Sequence, residues 1–265
     1  SATLDPPPPT PSAEQIERRF NGTLIRTARP VCLLTLRGVE LACGLQWRAV
    51  HAERLLEVPQ PFILAANHDS HADTAAILGT LPPGLRPRTA VAAANDVFGA
   101  TRGERRRSLT HTCLEFTVGA TFHAFAFDRF GASLRSVRAA RTLVKHGWNL
   151  LLYPEGTRGR AGVIGPFKSG VGVIAKFTGC PVVPVYASGG FRVLPQGNLL
   201  PRRGAIRVHY GDPLQFRPGE SADDFADRLR DAVLDLRRRH EPDAGTADRP
   251  LQPVDDRTLG VVGRY

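Results

Sequence analysis

The segment AANHDSHADTAAIL, residues 65–78, places two histidines and two aspartates within six positions, between one apolar run and another. His68 and Asp73 are five residues apart, so a helical turn that begins near His68 can bring the carboxylate toward the imidazole. A carboxylate on one ring nitrogen fixes the tautomer and makes the other nitrogen a better base. The spacing therefore predicts a general base with an orienting partner, acting on a hydroxyl group that the substrate brings.

Two other interpretations of this segment stay open from the residues alone. One is a metal site, because four side chains here are competent ligands: His68, Asp69, His71 and Asp73. Against a metal, the remaining histidines are scattered and no second histidine-rich cluster follows a later apolar run. The other interpretation is a polar helix start without catalytic chemistry. Ser70 lacks the glycine-flanked turn that exposes a nucleophilic serine, so a covalent mechanism through it is not favoured.

Further polar segments also come directly after apolar runs: DRFG (128–131), PEGTRGR (154–160) and YASGG (186–190). The first two suit an anion, since arginine forks, a hydroxyl group and exposed backbone N–H groups match the geometry of phosphate. Gly156 permits an unusual backbone conformation, and Glu155 can orient an arginine or a substrate hydroxyl. The predicted anion-binding residues are Arg129, Glu155, Gly156, Thr157 and Arg158.

Short apolar runs alternate with helical segments through most of the chain, and this alternation must position the polar segments. Examples of such runs are PFILAA (61–66), TAVAAA (89–94), NLLLY (149–153) and PVVPVYA (181–187). The pattern predicts one α/β domain with a mainly parallel, mixed sheet covered by helices. In such sheets ligands bind at the carboxyl ends of the strands, so we expect the polar segments to share one cleft.

The length of 265 residues, with 42% apolar and 23% charged residues, fits a single globular domain that needs no disulfide or structural metal. The predicted organisation is a proline-rich leader (1–12), a domain (13–240) and a flexible tail (241–265). Within the domain we expect an amphipathic helical segment (13–47), a core (50–215) and a C-terminal helix (221–239). The segment 13–47 contains no uncharged apolar stretch long enough to cross a bilayer. It is either a helix in the membrane interface or an ordinary helix that covers the core.

The formal net charge of +10 predicts a polyanionic partner: nucleic acid, an acidic membrane surface or a phosphorylated substrate. Nucleic-acid modules usually interleave aromatic residues with the basic patch or carry a recognition helix. Neither feature is evident, so we expect no nucleic-acid partner. The first residues show no signal-peptide pattern. The expected location is therefore cytoplasmic, with peripheral binding to the cytoplasmic face of a membrane.

Taken together and in this order, the motifs resemble those of the glycerolipid acyltransferase family that includes the 1-acylglycerol-3-phosphate acyltransferases. The first block of the family stands here as Asn67, His68, Ser70 and Asp73, and the second is FAFDR, which ends at Arg129. The third block is complete as PEGTR, residues 154–158, and PFKSG (166–170) follows it. The fourth is the apolar strand PVVPV around Pro184. The resemblance covers approximately residues 50–215.

The resemblance implies a glycerol-3-phosphate acyltransferase-like αβ fold, with His68 as general base and Asp73 as its partner. It implies that the acceptor phosphate binds to Arg129, Glu155, Gly156, Thr157 and Arg158. The supporting residues would be Asn67, Ser70, Lys168 and Pro184. No metal and no cofactor is implied, because acyl-CoA or acyl carrier protein brings the acyl group as a co-substrate.

The implied reaction is transfer of a fatty acyl group from a thioester to a lysophospholipid hydroxyl, converting 1-acylglycerol-3-phosphate to phosphatidate. One alternative keeps the fold but changes the acceptor to a lyso-aminolipid or a specialised metabolite. Another alternative is a basic membrane-binding protein without catalysis. A metallohydrolase is the third, and it depends on the metal interpretation of residues 68–73.

Overall fold

The computed structural model describes residues 15, 20, 22–94, 122–127, 134–157, 159, 163–195, 198 and 200–241. Its helices are α1 (Thr23–Ala42), α2 (His71–Thr80), α3 (Leu134–Lys145), α4 (Gly170–Thr178), α5 (Gly190–Val193) and α6 (Ala222–His240). Its strands are β1 (Leu45–Val50), β2 (Ile63–Ala66), β3 (Thr89–Ala94), β4 (Ala124–Phe127), β5 (Asn149–Leu152), β6 (Val182–Ser188) and β7 (Gly204–Tyr210). Two short 3-10 helices, Ala52–Leu56 and Arg86–Arg88, complete the described elements.

The seven described strands form one sheet in the order β1-β7-β6-β2-β5-β3-β4. Of the six pairings between them, five are parallel, and only the β6–β7 pair is antiparallel. The central strands β2, β5 and β6 are buried along their whole length. Their continuous apolar runs are those of parallel strands covered on both faces. The predicted mainly parallel, mixed α/β sheet is therefore confirmed.

Helices cover both faces of the sheet and divide the core into two layers. The buried residues of α3, α4 and α6 pack on one face together with Ile63 and Leu150. The buried residues of α2 and α5 pack on the other face with Leu64 and Leu151. Because successive side chains of a strand point to opposite faces, each central strand contributes to both layers. Helices pack on both faces of the sheet, and this packing fixes the ends of its central strands.

The strand directions bring the end of α1 close to the carboxyl ends of β2, β5 and β6, an edge that we call the carboxyl edge. β7 runs antiparallel to β6 and therefore begins at this edge. β1 is parallel to β7, with Leu45 opposite Gly204, so it begins there too. Since α1 ends at Ala42, directly before β1, its last turn lies at the carboxyl edge.

The structure corrects the predicted helical segment 13–47, because its described part contains a helix and a strand. α1 ends at Ala42, and Gly44 then adopts a left-handed conformation with φ 62°. β1 begins at Leu45 and includes Trp47, which the sequence pattern placed in the helix. The strand is short and only half-buried. Its alternation of apolar and polar residues is therefore hard to separate from the periodicity of a helix. The buried Glu40 accepts a 2.8 Å hydrogen bond from the Trp47 indole and so ties helix to strand.

The helix after β2 begins at His71, not near His68. Ser70 is its N-cap, in an extended conformation, and forms a capping box with Asp73. The segment from Asn67 to Ser70 is therefore a turn between strand and helix. The C-terminal helix has its N-cap at Ser221 and ends at His240, within one residue of the predicted bounds. The predicted leader (1–12) and all of the predicted tail (241–265) except Glu241 lie outside the described residues.

None of the helices in the described part of the chain combines the length and apolar character that a membrane-spanning helix needs. The exposed apolar side chains of α1 include Val31, Leu34 and Leu41.

Candidate functional site

His68 and Asp73 face each other at the carboxyl end of β2. The distance from His68 Nδ1 to Asp73 Oδ2 is 3.4 Å. The His68 side chain keeps 15% of its surface exposed, whereas the Asp73 side chain is fully buried. With a proton on Nδ1, the other ring nitrogen, Nε2, presents its lone pair to an incoming group. The pair therefore has the geometry of a general base held by a carboxylate.

Backbone hydrogen bonds hold the Asp73 carboxylate in place. The N–H groups of Asp69 and Ser70 donate to its Oδ2 at 2.8 and 2.7 Å. The other oxygen, Oδ1, lies against Gly190, where a Cβ atom would overlap with it. Glycine is thus required at position 190 so that the turn after β6 can approach the carboxylate. Gly190 belongs to the polar segment 186–190, but its residue type and position alone indicate no role in the site.

The turn that carries His68 is fixed on both sides by polar side chains. Asn67 exchanges two hydrogen bonds with the backbone of Ala187 in β6, at 3.0 and 2.8 Å. The Ser70 hydroxyl donates to the carbonyl of Leu194 at 2.8 Å and accepts from the N–H of Ala72 at 3.2 Å. Both side chains belong to the predicted supporting set, and in the structure both orient the turn.

Glu155, which the sequence predicted in an anion site, contacts the backbone of the turn between β2 and α2. Its Oε1 accepts a hydrogen bond from the His68 N–H at 3.0 Å, and its Oε2 accepts one from the Gly165 N–H at 3.0 Å. Burial raises the pKa of the Glu155 carboxyl, while these two hydrogen bonds act in the opposite direction. The buried Glu155 carboxylate accepts hydrogen bonds from two backbone N–H groups. We therefore assign to Glu155 the role of holding the backbone around His68 in place.

Tyr153, directly after β5, is a site residue that the sequence analysis missed. Its ring stacks on the His68 imidazole, with centroids 4.0 Å apart and an angle of 23° between the planes. Its hydroxyl lies 2.7 Å from the Thr74 hydroxyl. Burial is the main cause that raises the pKa of the Tyr153 phenol far above its usual range, with the Asp73 charge next. The tyrosine therefore stays neutral and fixes one face of the imidazole. No motif at the sequence level marks such a stack.

The structure also describes four of the other residues that the sequence predicted in the site or in its support. Gly156 has a φ of 71°, which confirms the unusual backbone expected of this glycine, and Thr157 next to it is exposed. The Lys168 N–H donates to the carbonyl of Pro154 at 2.9 Å, so the PFKSG segment lies beside the PEGTR turn. Pro184 is buried in β6, opposite Ala65 of β2.

Arg129 and Arg158 lie outside the described residues. β4, the strand before Arg129, is separated from β2 by β5 and β3. At about 4.8 Å per strand, the end of β4 is about 14 Å from the end of β2 across the sheet. The ends of β2 and β5 are neighbours, and β4 is the strand at the far side of the sheet.

Within the described residues, no group of three or more histidines, cysteines, aspartates or glutamates is arranged to hold a metal ion. His68 is turned toward Asp73, and His71 is exposed on the first turn of α2. What the described geometry provides is an imidazole base with a buried carboxylate behind it.

Comparison with known proteins identifies a matching family. The family described as Acyltransferase matches residues 48–188, which is more than half of the chain. The match begins in β1 and ends at the last residue of β6, so it contains His68, Asp73 and Glu155.

The similar proteins have related names. A chloroplastic 1-acyl-sn-glycerol-3-phosphate acyltransferase of Brassica napus is 37% identical over 94 residues, covering 35% of this chain and 26% of its own length. A protein of Ovis aries named 1-acyl-sn-glycerol-3-phosphate acyltransferase alpha is 24% identical over 241 residues, covering 84% of this chain and 79% of its own length. The crystal structure of the 1-acyl-sn-glycerophosphate acyltransferase PlsC of Thermotoga maritima matches with a TM-score of 0.56 and 22% identity. It covers 83% of this chain and 85% of that one, and it shows the same fold.

Proposed function

Because the chain belongs to the acyltransferase family, we propose that it transfers a fatty acyl group from a thioester donor to a lysophospholipid hydroxyl. The proposed acceptor is 1-acylglycerol-3-phosphate, the proposed donor is acyl-CoA or acyl carrier protein, and the product is phosphatidate. The observation that carries the proposal is the His68–Asp73 pair, with 3.4 Å between Nδ1 and Oδ2 at the carboxyl end of β2. The names of the similar proteins support the choice of acceptor.

In the proposed reaction, Nε2 of His68 removes the proton of the acceptor hydroxyl as the oxygen attacks the thioester carbonyl. The carbon–sulfur bond then breaks, and the departing thiolate takes this proton from the imidazolium. The Asp73 carboxylate stabilises the imidazolium between these two steps. All protons and electron pairs are accounted for by the two substrates and His68, so no cofactor is needed.

The described geometry favours direct transfer over an acyl-enzyme. The hydroxyl closest in sequence to the base belongs to Ser70, and it already donates to the Leu194 carbonyl. It also caps α2 by accepting from Ala72. A hydroxyl that holds two backbone groups is poorly placed to act as a nucleophile. The acceptor's own hydroxyl therefore takes that part in our proposal.

We assign the acceptor phosphate to the segments after β4 and β5, with Arg129 and Arg158 as guanidinium donors. The left-handed backbone at Gly156 and the exposed Thr157 support a phosphate site at the turn after β5. Holding the phosphate would place the acceptor hydroxyl near His68 and make its attack effectively unimolecular.

An acceptor panel tests the proposed function. The purified protein is incubated with a labelled long-chain acyl-CoA and lysolipids that carry or lack a phosphate monoester, and the products are identified by mass. We expect phosphatidate from 1-acylglycerol-3-phosphate, and we expect Arg158→Ala to lower kcat/KM for this acceptor by about 10²-fold, as for loss of a charged hydrogen bond. A matched control is Arg141→Ala, since Arg141 is exposed in the second half of α3, away from the carboxyl edge.

Two outcomes would contradict the proposal. If no lysolipid is acylated and the protein only binds vesicles, the chain is not the proposed enzyme. If Arg158→Ala reduces transfer to a phosphate-free acceptor as strongly as transfer to 1-acylglycerol-3-phosphate, the assigned phosphate contact is wrong.

The proposed location is the cytoplasmic face of an anionic membrane. α1 exposes 74% of Leu34 and 68% of Leu41, and the Arg37 side chain between them is 62% exposed. Such a mixture of apolar and basic side chains suits the membrane interface. The last turn of α1 also lies at the carboxyl edge, as does the segment before β7 with the exposed Leu200. A membrane bound there would deliver lipid substrates to His68.

Vesicle flotation tests this placement. We expect the protein to float with vesicles that contain anionic lipid. We expect a Leu34→Asn and Leu41→Asn double variant to lose at least about tenfold in binding, because two leucines that insert into the membrane interface contribute several kcal/mol. The control is Leu56→Asn, since Leu56 is 62% exposed but follows β1, at the opposite edge of the sheet. Equal binding by the double variant and the wild type would overturn the placement.

A further inference from the structure

One side chain of the C-terminal helix fastens a loop that touches the site. The Arg230 guanidinium donates to the carbonyl of Gly165 through Nε at 2.8 Å and to the carbonyl of Ile164 through Nη2 at 3.0 Å. Two consecutive carbonyls are thus held by one planar group, which is the geometry for which an arginine is better suited than a lysine. The hydrogen bonds link positions that are 65 and 66 residues apart in the sequence.

This loop, residues 163–165, is linked to the turn after β2 by two further hydrogen bonds. The Gly165 N–H donates to Glu155 Oε2 at 3.0 Å, and Glu155 Oε1 accepts from the His68 N–H at 3.0 Å. The path therefore runs from Arg230 through Gly165 and Glu155 to His68, and each step is a hydrogen bond of ordinary length. Its last member is the backbone of the residue whose side chain is the proposed base.

The position of Glu155 depends on that loop. Its carboxylate is buried, with 7% of the residue exposed, and its described hydrogen bonds come from two backbone N–H groups. Residues 163–165 have no regular secondary structure, so side-chain contacts must hold them. The buried Ile164 side chain anchors the loop in the core, and Arg230 anchors its carbonyls. If the Gly165 N–H turned away, Glu155 would be a buried carboxylate with one of its two donors missing, which is unfavourable.

We propose that Arg230 is a positioning residue for His68, acting through Gly165 and Glu155. This inference rests on the proposed function, since it concerns the residue that acts as base there. It assigns to α6 a part in the reaction, although this helix lies beyond residues 48–188 that match the family. Arg230 touches no substrate in this mechanism. It restricts the motion of the turn that carries the imidazole.

The kinetic test is the variant Arg230→Met, which keeps an unbranched apolar stem in place of the arginine stem and removes the guanidinium donors. We expect kcat to fall by about tenfold and KM for both substrates to change by less than about twofold, because orientation and not binding is lost. Arg230→Lys should recover part of the loss, since an ammonium group can bind one of the two carbonyls. The matched control is Arg228→Met on the same helix, whose guanidinium binds Glu220 and the Gln215 carbonyl. We expect its kcat to stay at the wild-type value.

A double-mutant cycle shows whether Arg230 acts through Glu155. If it does, Arg230→Met should cost less than about twofold in kcat once Glu155→Gln is present, since the path is already interrupted. Fully additive losses would overturn the proposal. So would a loss of the same size in Arg228→Met, which would indicate a general effect on α6.

Amide hydrogen exchange supplies a measurement that does not depend on activity. In Arg230→Met we expect the amides of Gly165 and His68 to exchange at least about fivefold faster, because the acceptor they share is less well held. The amides of Asp69 and Ser70 donate to Asp73 instead and should be unchanged. Unchanged exchange at Gly165 and His68 would refute the structural link. If the wild-type protein transfers no acyl group, the proposed function fails, while this experiment still decides whether Arg230 holds the turn.

Discussion

His68→Ala should abolish most acyl transfer and leave the fold intact. The imidazole is the described group that can take the proton of the acceptor hydroxyl, and general base catalysis is typically worth about 10² to 10⁴ in rate. We therefore expect kcat to fall by at least about 10²-fold. The stability should change little, because the His68 ring is partly exposed and its described ring contacts are a stack on Tyr153 and an edge contact with the exposed His71. Product formation is measured by mass, and thermal unfolding is measured in parallel.

A histidine far from the site provides the control for this variant. His146 is exposed, follows α3 and precedes β5, so it lies at the amino ends of the parallel strands. His146→Ala should transfer acyl groups at the wild-type rate. If His68→Ala retained more than about a tenth of wild-type activity, a loss smaller than general base catalysis supplies, the role of His68 as base would be refuted.

Asp73→Asn should reduce kcat by about 10²-fold or more, because it removes the charge that stabilises the imidazolium. In the structure one oxygen of Asp73 faces His68 and accepts two backbone N–H groups. An asparagine can place its carbonyl there only if its amide NH₂ takes the place of Oδ1, which is buried, has no hydrogen-bond partner among the described residues and lies against Gly190. In the reverse orientation the NH₂ group would meet two N–H donors. Steady-state kinetics should show the loss mainly in kcat.

Gly190→Ala tests the same carboxylate from the opposite side. The added Cβ would overlap with Asp73 Oδ1 and lie 3.1 Å from the Ser70 Cβ, so either the carboxylate or the turn after β6 must move. We expect at least about tenfold lower kcat, since small displacements of catalytic groups are costly. Gly84→Ala is the control, because no atom lies within 4 Å of its added Cβ. Wild-type activity in Gly190→Ala would show that the position of Asp73 is less critical than the geometry indicates.

Much of the fold could be predicted from the sequence because its central strands are buried on both faces. ILAA, NLLL and VVPVYAS are continuous apolar or near-apolar runs, and α3, which lies between the first two of them in the chain, is amphipathic. The edge strand β1 was missed because its residues alternate in exposure over only six positions next to a longer helix. Strand order was also beyond prediction, since it depends on packing between segments that are distant in the chain.

The proximity of His68 and Asp73 was predictable because the two residues are five positions apart, and the turn between them is local. The remainder of the site depends on backbone groups, which have no signature in a sequence. Glu155 looks like part of an anion-binding motif, yet its carboxylate reaches the N–H of His68, 87 positions earlier. Gly190 and Tyr153 could have been noted, since Tyr153 ends the apolar run 149–153 and Gly190 ends the polar segment 186–190. What they contact became evident only when β2, β5 and β6 were found side by side.

The hydrogen bonds around the turn after β2 also determine when, during synthesis, the His68 imidazole can reach its final orientation. Asn67 bonds to Ala187, which lies 120 positions later in the chain, and the His68 N–H bonds to Glu155, which lies 87 positions later. A nascent chain that has left the ribosome only as far as β5 therefore carries the histidine without the strand that pins its turn. The imidazole acquires its final orientation only after β6 has been synthesised, so truncated products that lack β6 hold an unassembled base.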